Sequence, residues 1–247
     1  MADLSVLILG GTAEAPVLAE RLAGRGVRVT LSLAGCTRAP ATAPCALRVG
    51  GFGGADGLAA YLTSEAVGVL VDATHPFAHT ISRNARAATD AAGVPLVVVA
   101  RPPWEPVTGD RWTCVPDMAG AAGAIGAAPR RVLLAIGRKE VAAFRAAPQH
   151  RYLVRSVEPP DPADLPPYAE SLLARGPFAE AEERALLETR RIEVVAAKNS
   201  GGEATYGKIA AARALGLPVI IVDRPPAEGM TLDAALAHLA ALAERGV

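Results

Sequence analysis

The sequence predicts an α/β protein built from two related halves, each containing a doubly wound parallel sheet. Short runs rich in Val, Ile and Leu alternate with Ala-rich segments of about three helical turns, which is typical of parallel strands covered on both faces. The same motifs occur twice in the same order. Glycine-rich stretches follow several of the runs, and the carboxyl ends of such strands are where these sheets bind ligands.

Eight apolar runs are predicted to be strands, four in each half. Each is short, continuous and rich in β-branched residues or Leu, so neither face of the sheet should be solvent-exposed. The predicted strands are residues 6–9, 27–33, 69–72 and 96–99, followed by 132–135, 152–156, 194–197 and 219–222.

Three pairs of segments carry the internal repeat. VPLVVVARPP at 94–103 resembles LPVIIVDRPP at 217–226, and residues 6–22 and 51–76 have counterparts at 132–146 and 175–202. Chance similarity between α/β units is the alternative. We expect related halves at 4–101 and 131–225, joined by a linker and C-terminal helix region at 102–130. The predicted domains are 1–110 and 111–247.

Composition excludes several classes of partner. The chain has 25 Lys and Arg against 25 Asp and Glu, so no charge excess favours nucleic acid or an anionic membrane. No stretch approaches the ~20 apolar residues of a membrane span. Cys36, Cys45 and Cys114 form no CxxC pair, which favours unpaired thiols in a reducing cytoplasm. His75 and His79 lack a third ligand, so no metal site is expected.

The loop at 10–15 matches a dinucleotide-binding fingerprint in part, since Thr12 stands where its middle glycine is expected. Gly10 and Gly11 would let the backbone approach a phosphate at a helix N-terminus, where Thr12 could donate its hydroxyl. An ordinary tight turn is the alternative. The loop therefore indicates a dinucleotide phosphate site that includes Ala13.

The segment after the second predicted strand favours NADP over NAD. No acidic residue occurs between Glu20 and Asp56, although NAD sites usually place a carboxylate there for the ribose. Ser32, Thr37 and Arg38 instead suit a 2′-phosphate. A solvated loop charge at Arg38 is the alternative.

Two further loops in the first half are candidates for the remainder of the dinucleotide. Gly51, Phe52 and Gly53 imply a close backbone approach, which suits adenine, although a flexible turn is the alternative. Thr74 is predicted to cap a helix beginning near Pro76. His75 is predicted to contact the nicotinamide, or else to bind the loop backbone.

The matching loops of the second half carry cations. They contain Arg138, Lys139, Arg175 and Lys198, with Arg155 beside another strand end. Cations at one sheet edge favour a pocket for a polyanion with several carboxylates. Pairing with nearby Glu side chains is the alternative.

Seven motifs together resemble the precorrin-6A reductases of cobalamin biosynthesis. They are GGTAEA at 10–15, LAGCTRAP at 33–40, GGFGG at 50–54, DATHPFA at 72–78, ARPPWEP at 100–106, LARGPF at 173–178 and KNSGG at 198–202. The resemblance implies NADPH-dependent reduction of one double bond of the precorrin-6A macrocycle to give precorrin-6B. It also implies two Rossmann-like domains with a cleft between them.

The resemblance also implies site residues. NADPH is expected at Gly10, Gly11, Thr12, Ala13, Ser32, Thr37, Arg38, Gly51, Phe52, Gly53, Thr74, His75 and Pro76. The tetrapyrrole is expected at Gly137, Arg138, Lys139, Arg175, Lys198, Asn199, Ser200 and Gly201, with His75 and Lys198 as candidate catalytic residues. The 2′-phosphate ligand stays open among Arg38, Thr37 and Ser32. The proton donor stays open among His75, Lys198, solvent and a substrate carboxyl.

Other functions compete with this one. The substrate could be cobalt-precorrin-6A, or the chain could be a dinucleotide-binding module without chemistry. An S-adenosylmethionine site is disfavoured by the missing acid after the second strand. The partner expected is a small tetrapyrrole, with room for transient contacts to neighbouring pathway enzymes.

Overall fold

Two parallel β-sheets organise the chain. The computed structural model describes residues 4–34, 45–224 and 228–245. One sheet has the strand order β3-β2-β1-β4-β5 and the other has the order β6-β11-β10-β7-β8-β9. The strands of the first sheet are β1 (Ser5–Leu9), β2 (Arg28–Leu33), β3 (Ala46–Val49), β4 (Val69–Asp72) and β5 (Leu96–Val98). Those of the second sheet are β6 (Trp112–Val115), β7 (Arg131–Ala135), β8 (Arg151–Ser156), β9 (Ala169–Leu173), β10 (Val194–Lys198) and β11 (Val219–Val222).

Helices connect the strands. Their amphipathic spacing explains where they pack: α1 (Glu14–Ala23) buries Ala15, Leu18, Ala19 and Leu22, which lie on one helical face. The other helices are α2 (Ala55–Ser64), α3 (His79–Ala92), α4 (Met118–Ala124), α5 (Glu180–Thr189), α6 (Gly207–Ala214) and α7 (Leu232–Arg245), with 3₁₀ helices at Val141–Ala146 and Pro162–Asp164. None of the helices in the described part of the chain has the length and apolar character needed to span a bilayer.

The chain divides into two compact units. The first unit combines Met1–Arg101 with Pro226–Val247, and the second unit is Pro102–Pro225. In the first unit, alternate residues of β1 face opposite cores. Ile8 packs with Leu18 and Leu239 from α1 and α7, whereas Leu7 packs with Leu58 from α2 and residues of α3. Burial on both faces explains the continuous apolar runs in the sequence.

The strand order confirms the predicted repeat. Five strands of the second sheet, in the order β9-β8-β7-β10-β11, repeat the order β3-β2-β1-β4-β5 of the first sheet. The core of the second unit likewise sets Leu133 of β7 and Ile221 of β11 against Leu187 of α5 and Ile209 of α6. The α/β class with doubly wound parallel sheets is therefore confirmed.

The predicted boundaries of 1–110 and 111–247 differ from the observed division. Residues 102–130 are not a linker of the first half, because β6 pairs with β11 and α4 packs on the 3₁₀ helix after β7. The chain end instead completes the first unit. Met230 bridges Val99 in parallel, and α7 packs on α1. The segment that ends each half thus belongs to the other unit.

Three strands were not predicted from the sequence, and each of them lies at the edge of a sheet. β3, β6 and β9 pair with one neighbour only, and most of their residues are exposed or half-buried. An edge strand needs fewer apolar residues, so its sequence lacks the continuous run that marks a central strand. The described thiols, Cys45 and Cys114, are free, and Cys36 lies outside the described residues.

Candidate functional site

The loop after β1 passes close over the neighbouring strand. The Gly10 N–H donates to the Ser32 carbonyl at 2.8 Å, and a Cβ on Gly10 would lie 2.8 Å from Leu33 Cδ2. A Cβ on Gly11 would meet the backbone nitrogen of His75 at 3.5 Å, an ordinary contact. Gly10 therefore permits the close turn that brings this loop to the carboxyl edge of the sheet.

The Thr12 hydroxyl has a different role from the one predicted. It donates to the Ala73 carbonyl at 2.9 Å, so it joins the loop after β1 to the loop after β4. The hydroxyl proton is thereby used within the protein, whereas the sequence suggested that it is donated to a phosphate. Ala13 is exposed and directly precedes α1, whose first-turn N–H groups have no intrahelical acceptor.

An ion pair lies at the first turn of α1. Arg101 Nη1 lies 2.9 Å from Glu14 Oε2, and both side chains are largely buried. Burial alone would raise the pKa of Glu14, but the charge of Arg101 and hydrogen bonds to the carboxylate outweigh burial and lower that pKa. Arg101, which follows β5, is thus tied to the same loop region as Thr12.

The loop after β4 is organised by Asp72 rather than by a helix cap. Asp72 is buried, and its Oδ1 accepts from the Thr74 N–H at 3.1 Å and from Thr74 Oγ1 at 2.6 Å. Thr74 therefore does not cap a helix at Pro76, and α3 begins at His79 instead. His75 Nδ1 accepts from the Phe77 N–H at 3.2 Å, which leaves Nε2 to carry the proton of the neutral ring.

The glycine loop after β3 is held by an arginine that was not among the predicted site residues. Arg48 donates to the carbonyls of Gly50 at 2.6 Å and Gly51 at 2.8 Å. Its guanidinium carbon lies 3.7 Å from the centre of the Phe52 ring, which in turn makes an edge contact with Tyr61 at 5.2 Å. Phe52 is therefore half-buried against its own unit instead of standing open for adenine.

Positive φ angles make glycine necessary in this loop. Gly53 and Gly54 have φ of 81° and 98°, a region that other residues rarely adopt. Gly57 in the following helix is also constrained, because a Cβ there would lie 1.8 Å from the Phe52 carbonyl oxygen. The loop and the start of α2 thus form one rigid turn.

The predicted 2′-phosphate ligands are only partly described. Ser32 lies at the end of β2 and is 5% exposed, so its hydroxyl is a poor surface contact. Thr37 and Arg38 lie outside the described residues.

Several cations of the second unit are paired with carboxylates of the same chain. Arg138 Nη2 lies 2.8 Å from Glu158 Oε2, and Lys198 forms an ion pair with Glu140. Lys139 is exposed. Intramolecular pairing, the alternative to a polyanion pocket, is therefore realised for Arg138 and Lys198.

Asn199 binds the backbone of this unit. Its Oδ1 accepts from the Trp104 N–H at 2.8 Å and its Nδ2 donates to the Trp104 carbonyl at 3.0 Å. The Trp104 indole N–H donates to the Gly202 carbonyl at 2.7 Å. Asn199 is 7% exposed, and its side chain fastens the segment after β5 to the loop after β10. The sequence instead predicted a contact with substrate for this residue.

The loop after β9 packs against Arg155 of the neighbouring strand β8. The Arg155 guanidinium lies 4.1 Å from the centre of the Phe178 ring and forms a buried ion pair with Glu183. The Phe178 N–H donates to the Ala204 carbonyl at 3.1 Å. Arg175, in the same loop, is exposed. Arg155 therefore positions the loop, and its charge is already balanced.

The remaining predicted positions lie in the two glycine-containing loops of this unit. Gly137 follows β7 with a φ of 80°. Ser200 donates from its N–H at 2.8 Å and its hydroxyl at 3.3 Å to the Lys198 carbonyl, and it is buried together with Gly201. This tight turn presents the strand end of β10 rather than the hydroxyl of Ser200.

Comparison with known proteins identifies the family. The sequence model described as precorrin-6x reductase CbiJ/CobK matches residues 5–241. The chain belongs to the precorrin-6A reductase family. A precorrin-6A reductase from Sinorhizobium sp. is 54% identical over 95% of this chain and 92% of its own length, and one from Rhodobacter capsulatus is 49% identical over 94% and 92%. A solved CobK precorrin-6A reductase has a TM-score of 0.89 at 48% identity, covering 96% of both chains.

The cobalt-precorrin-6A reductases are more distant relatives. A cobalt-precorrin-6A reductase from Salmonella typhimurium is 30% identical over 99% of this chain and 96% of its own length. The DATHPFA segment at 72–78 and the KNSGG segment at 198–202 coincide with the loops organised by Asp72 and Asn199. Asp72 is the last residue of β4 and Asn199 directly follows β10. A short polar side chain at the end of an apolar run is the sequence signal that the two residues share.

Proposed function

We propose that this chain is an NADPH-dependent reductase that converts precorrin-6A to precorrin-6B. The observation that carries the proposal is the identity of 54% to a precorrin-6A reductase, against 30% to a cobalt-precorrin-6A reductase of similar coverage. Both comparisons cover nearly the whole chain, so the difference in identity favours the metal-free macrocycle as substrate.

The loops of the first unit fit a dinucleotide. Those after β1, β3 and β4 lie at the same carboxyl edge of one parallel sheet, where nucleotides bind in this class of fold. The close turn at Gly10 and the exposed first turn of α1 offer backbone N–H groups to a pyrophosphate. The residues that would hold the cofactor are Gly10 to Ala13, the loop at 50–54, and the loop at Thr74 to Pro76. NADPH, when bound, supplies the hydride for one carbon of the reduced double bond.

The chain's own groups serve the remaining tasks. The neighbouring carbon of the macrocycle takes a proton, and the candidate donors are His75 through Nε2 and Lys198 through Nζ. Arg138, Lys139, Arg175 and Lys198 are the cations offered to the acetate and propionate side chains. Because Lys198 and Arg138 are paired with Glu140 and Glu158, a substrate carboxylate would share or replace those partners.

The test is an anaerobic absorbance assay with precorrin-6A and NADPH, with parallel arms that replace NADPH by NADH and precorrin-6A by its cobalt complex. Loss of the substrate spectrum with equimolar NADPH oxidation supports the proposal. Turnover of the cobalt complex alone assigns the chain to the other branch, and nucleotide binding without turnover of either substrate indicates a binding module.

A pair of variants tests the substrate pocket. Lys198→Ala should raise the KM for precorrin-6A about tenfold or more, the range for losing one charge-assisted contact. Arg131→Ala is the control, since Arg131 is an exposed cation at the opposite end of the same sheet. Equal effects of the two variants would contradict the pocket assignment.

A further inference from the structure

Arg48 stands at the carboxyl end of β3 as a cation fixed in one plane. Its Nη1 and Nη2 each donate to a backbone carbonyl, and its face lies 3.7 Å from the centre of the Phe52 ring. A guanidinium has five N–H donors, so three remain after these two bonds. The bond from Nη2 lies at the surface, so the remaining donors are within reach of solvent.

Within the described part of the chain, no carboxylate forms an ion pair with Arg48. The sequence from Glu20 to Asp56 also contains no acidic residue between these two, so its own chain neighbourhood offers none. In the second unit, the arginine that stacks on a loop phenylalanine is Arg155 of β8, which lies over Phe178 and is paired with Glu183. The first unit thus keeps a preorganised cation where the second has a closed ion pair.

The pairing of β3 with β2 places Arg48 near the loop after β1, which is predicted to bind the nucleotide phosphates. Arg48 lies opposite Ser32 in the pairing of β3 with β2, and the Ser32 carbonyl accepts the Gly10 N–H. The 2′-phosphate of NADP is recognised near the end of the second strand of such a fold, by an arginine placed nearby. The planar guanidinium fork suits a phosphate dianion, because it can donate two parallel hydrogen bonds.

We propose that Arg48 recognises the 2′-phosphate of NADPH, an inference that rests on the proposed function. Stacking on Phe52 and the two carbonyl bonds hold the guanidinium in place before the nucleotide arrives. Preorganisation of this kind lowers the entropic cost of binding. Recognition of the phosphate then neutralises the unbalanced charge at this edge of the sheet.

Calorimetric titration with NADP⁺ and NAD⁺ tests the assignment without turnover, because these ligands differ only in the 2′-phosphate. Arg48→Met should weaken NADP⁺ binding roughly 10- to 100-fold, the range for a lost charge-assisted contact, and leave NAD⁺ binding nearly unchanged. Arg48→Lys should retain part of the preference, since it keeps the charge but not the fork. Arg28→Met is the matched control, because Arg28 is an exposed arginine at the amino end of β2.

The outcomes separate the possible failures. Equal weakening of NADP⁺ and NAD⁺ in Arg48→Met would mean that Arg48 only maintains the loop, and an unchanged preference would also overturn the assignment. Loss of the preference in Arg38→Met alone would transfer the role to Arg38. If wild-type protein prefers NADP⁺ through Arg48 but reduces neither form of the substrate, the proposed function fails while this inference stands. Reduction of precorrin-6A with equal use of NADH would overturn the inference alone.

Discussion

Replacing Asn199 with Ala should destabilise the second unit rather than weaken substrate binding directly. The amide makes hydrogen bonds of 2.8 Å and 3.0 Å to the backbone of Trp104, which is 8% exposed. Removing it leaves a buried N–H and a buried carbonyl without partners, at about 1–3 kcal/mol each. The two groups together reduce the free energy of unfolding by about 4 kcal/mol, taking the middle of each range. That loss corresponds to a fall in Tm of roughly 8–16 °C for a chain of this size.

Thermal melts followed by circular dichroism and Trp fluorescence measure the effect. Asn84→Ala is the matched control, since Asn84 is the other asparagine of the chain and lies half-buried on α3. The control should stay within about 0.5 kcal/mol of wild type. A variant at Asn199 that keeps the wild-type Tm but binds precorrin-6A more weakly would refute the backbone role and restore the predicted substrate contact.

Three further changes have expected outcomes. Glu183→Gln should cost about 3–5 kcal/mol in chemical denaturation, because it leaves the charge of Arg155 buried without a partner; replacing both residues by Leu should recover much of that loss, and no recovery would contradict the argument. Gly57→Ala should weaken NADP⁺ binding and cost about 1–3 kcal/mol, because its Cβ would lie 1.8 Å from the Phe52 carbonyl, and unchanged affinity would show that the 50–54 loop does not hold the nucleotide. Burial raises the pKa of Tyr152 to about 12, so the unfolded chain ionises first and stability should fall as pH rises from about 10 to 12. Tyr152→Phe should flatten this alkaline slope, and equal slopes in pH-dependent melts would show that Tyr152 does not cause it.

The central strands could be predicted because they are buried on both faces. The apolar runs in β1 and β10 match structural strands to within a residue at each end. The edge strands β3, β6 and β9 could not be found in the same way, since half-exposed residues such as those of β9 leave no continuous apolar run.

The candidate site was predicted at the level of loops, and less well at the level of side chains. The loops after β1 and β4 lie at the carboxyl edge of the first sheet, and those after β7 and β10 lie at the carboxyl edge of the second sheet. This was expected, because the parallel strands of a sheet end at the same edge. The internal hydrogen bonds of Thr12 and Asn199 were not predicted, since both side chains bind backbone groups distant in sequence. Residue type indicates the capacity to hydrogen-bond and leaves the partner undetermined.

The sequence by itself determined the α/β class, the internal repeat and the family motifs, because burial, strand period and glycine turns are local properties. Only the tertiary structure decided that α4 and α7 complete the units opposite to their own halves, since an amphipathic helix does not specify which sheet it covers. Tertiary structure likewise decided which cations are balanced. Glu183 neutralises Arg155 across 28 positions of sequence, whereas Arg48 keeps its charge at the edge of the first sheet. Charge balance depends on distances in space, and those distances arise only when the strands are paired in register.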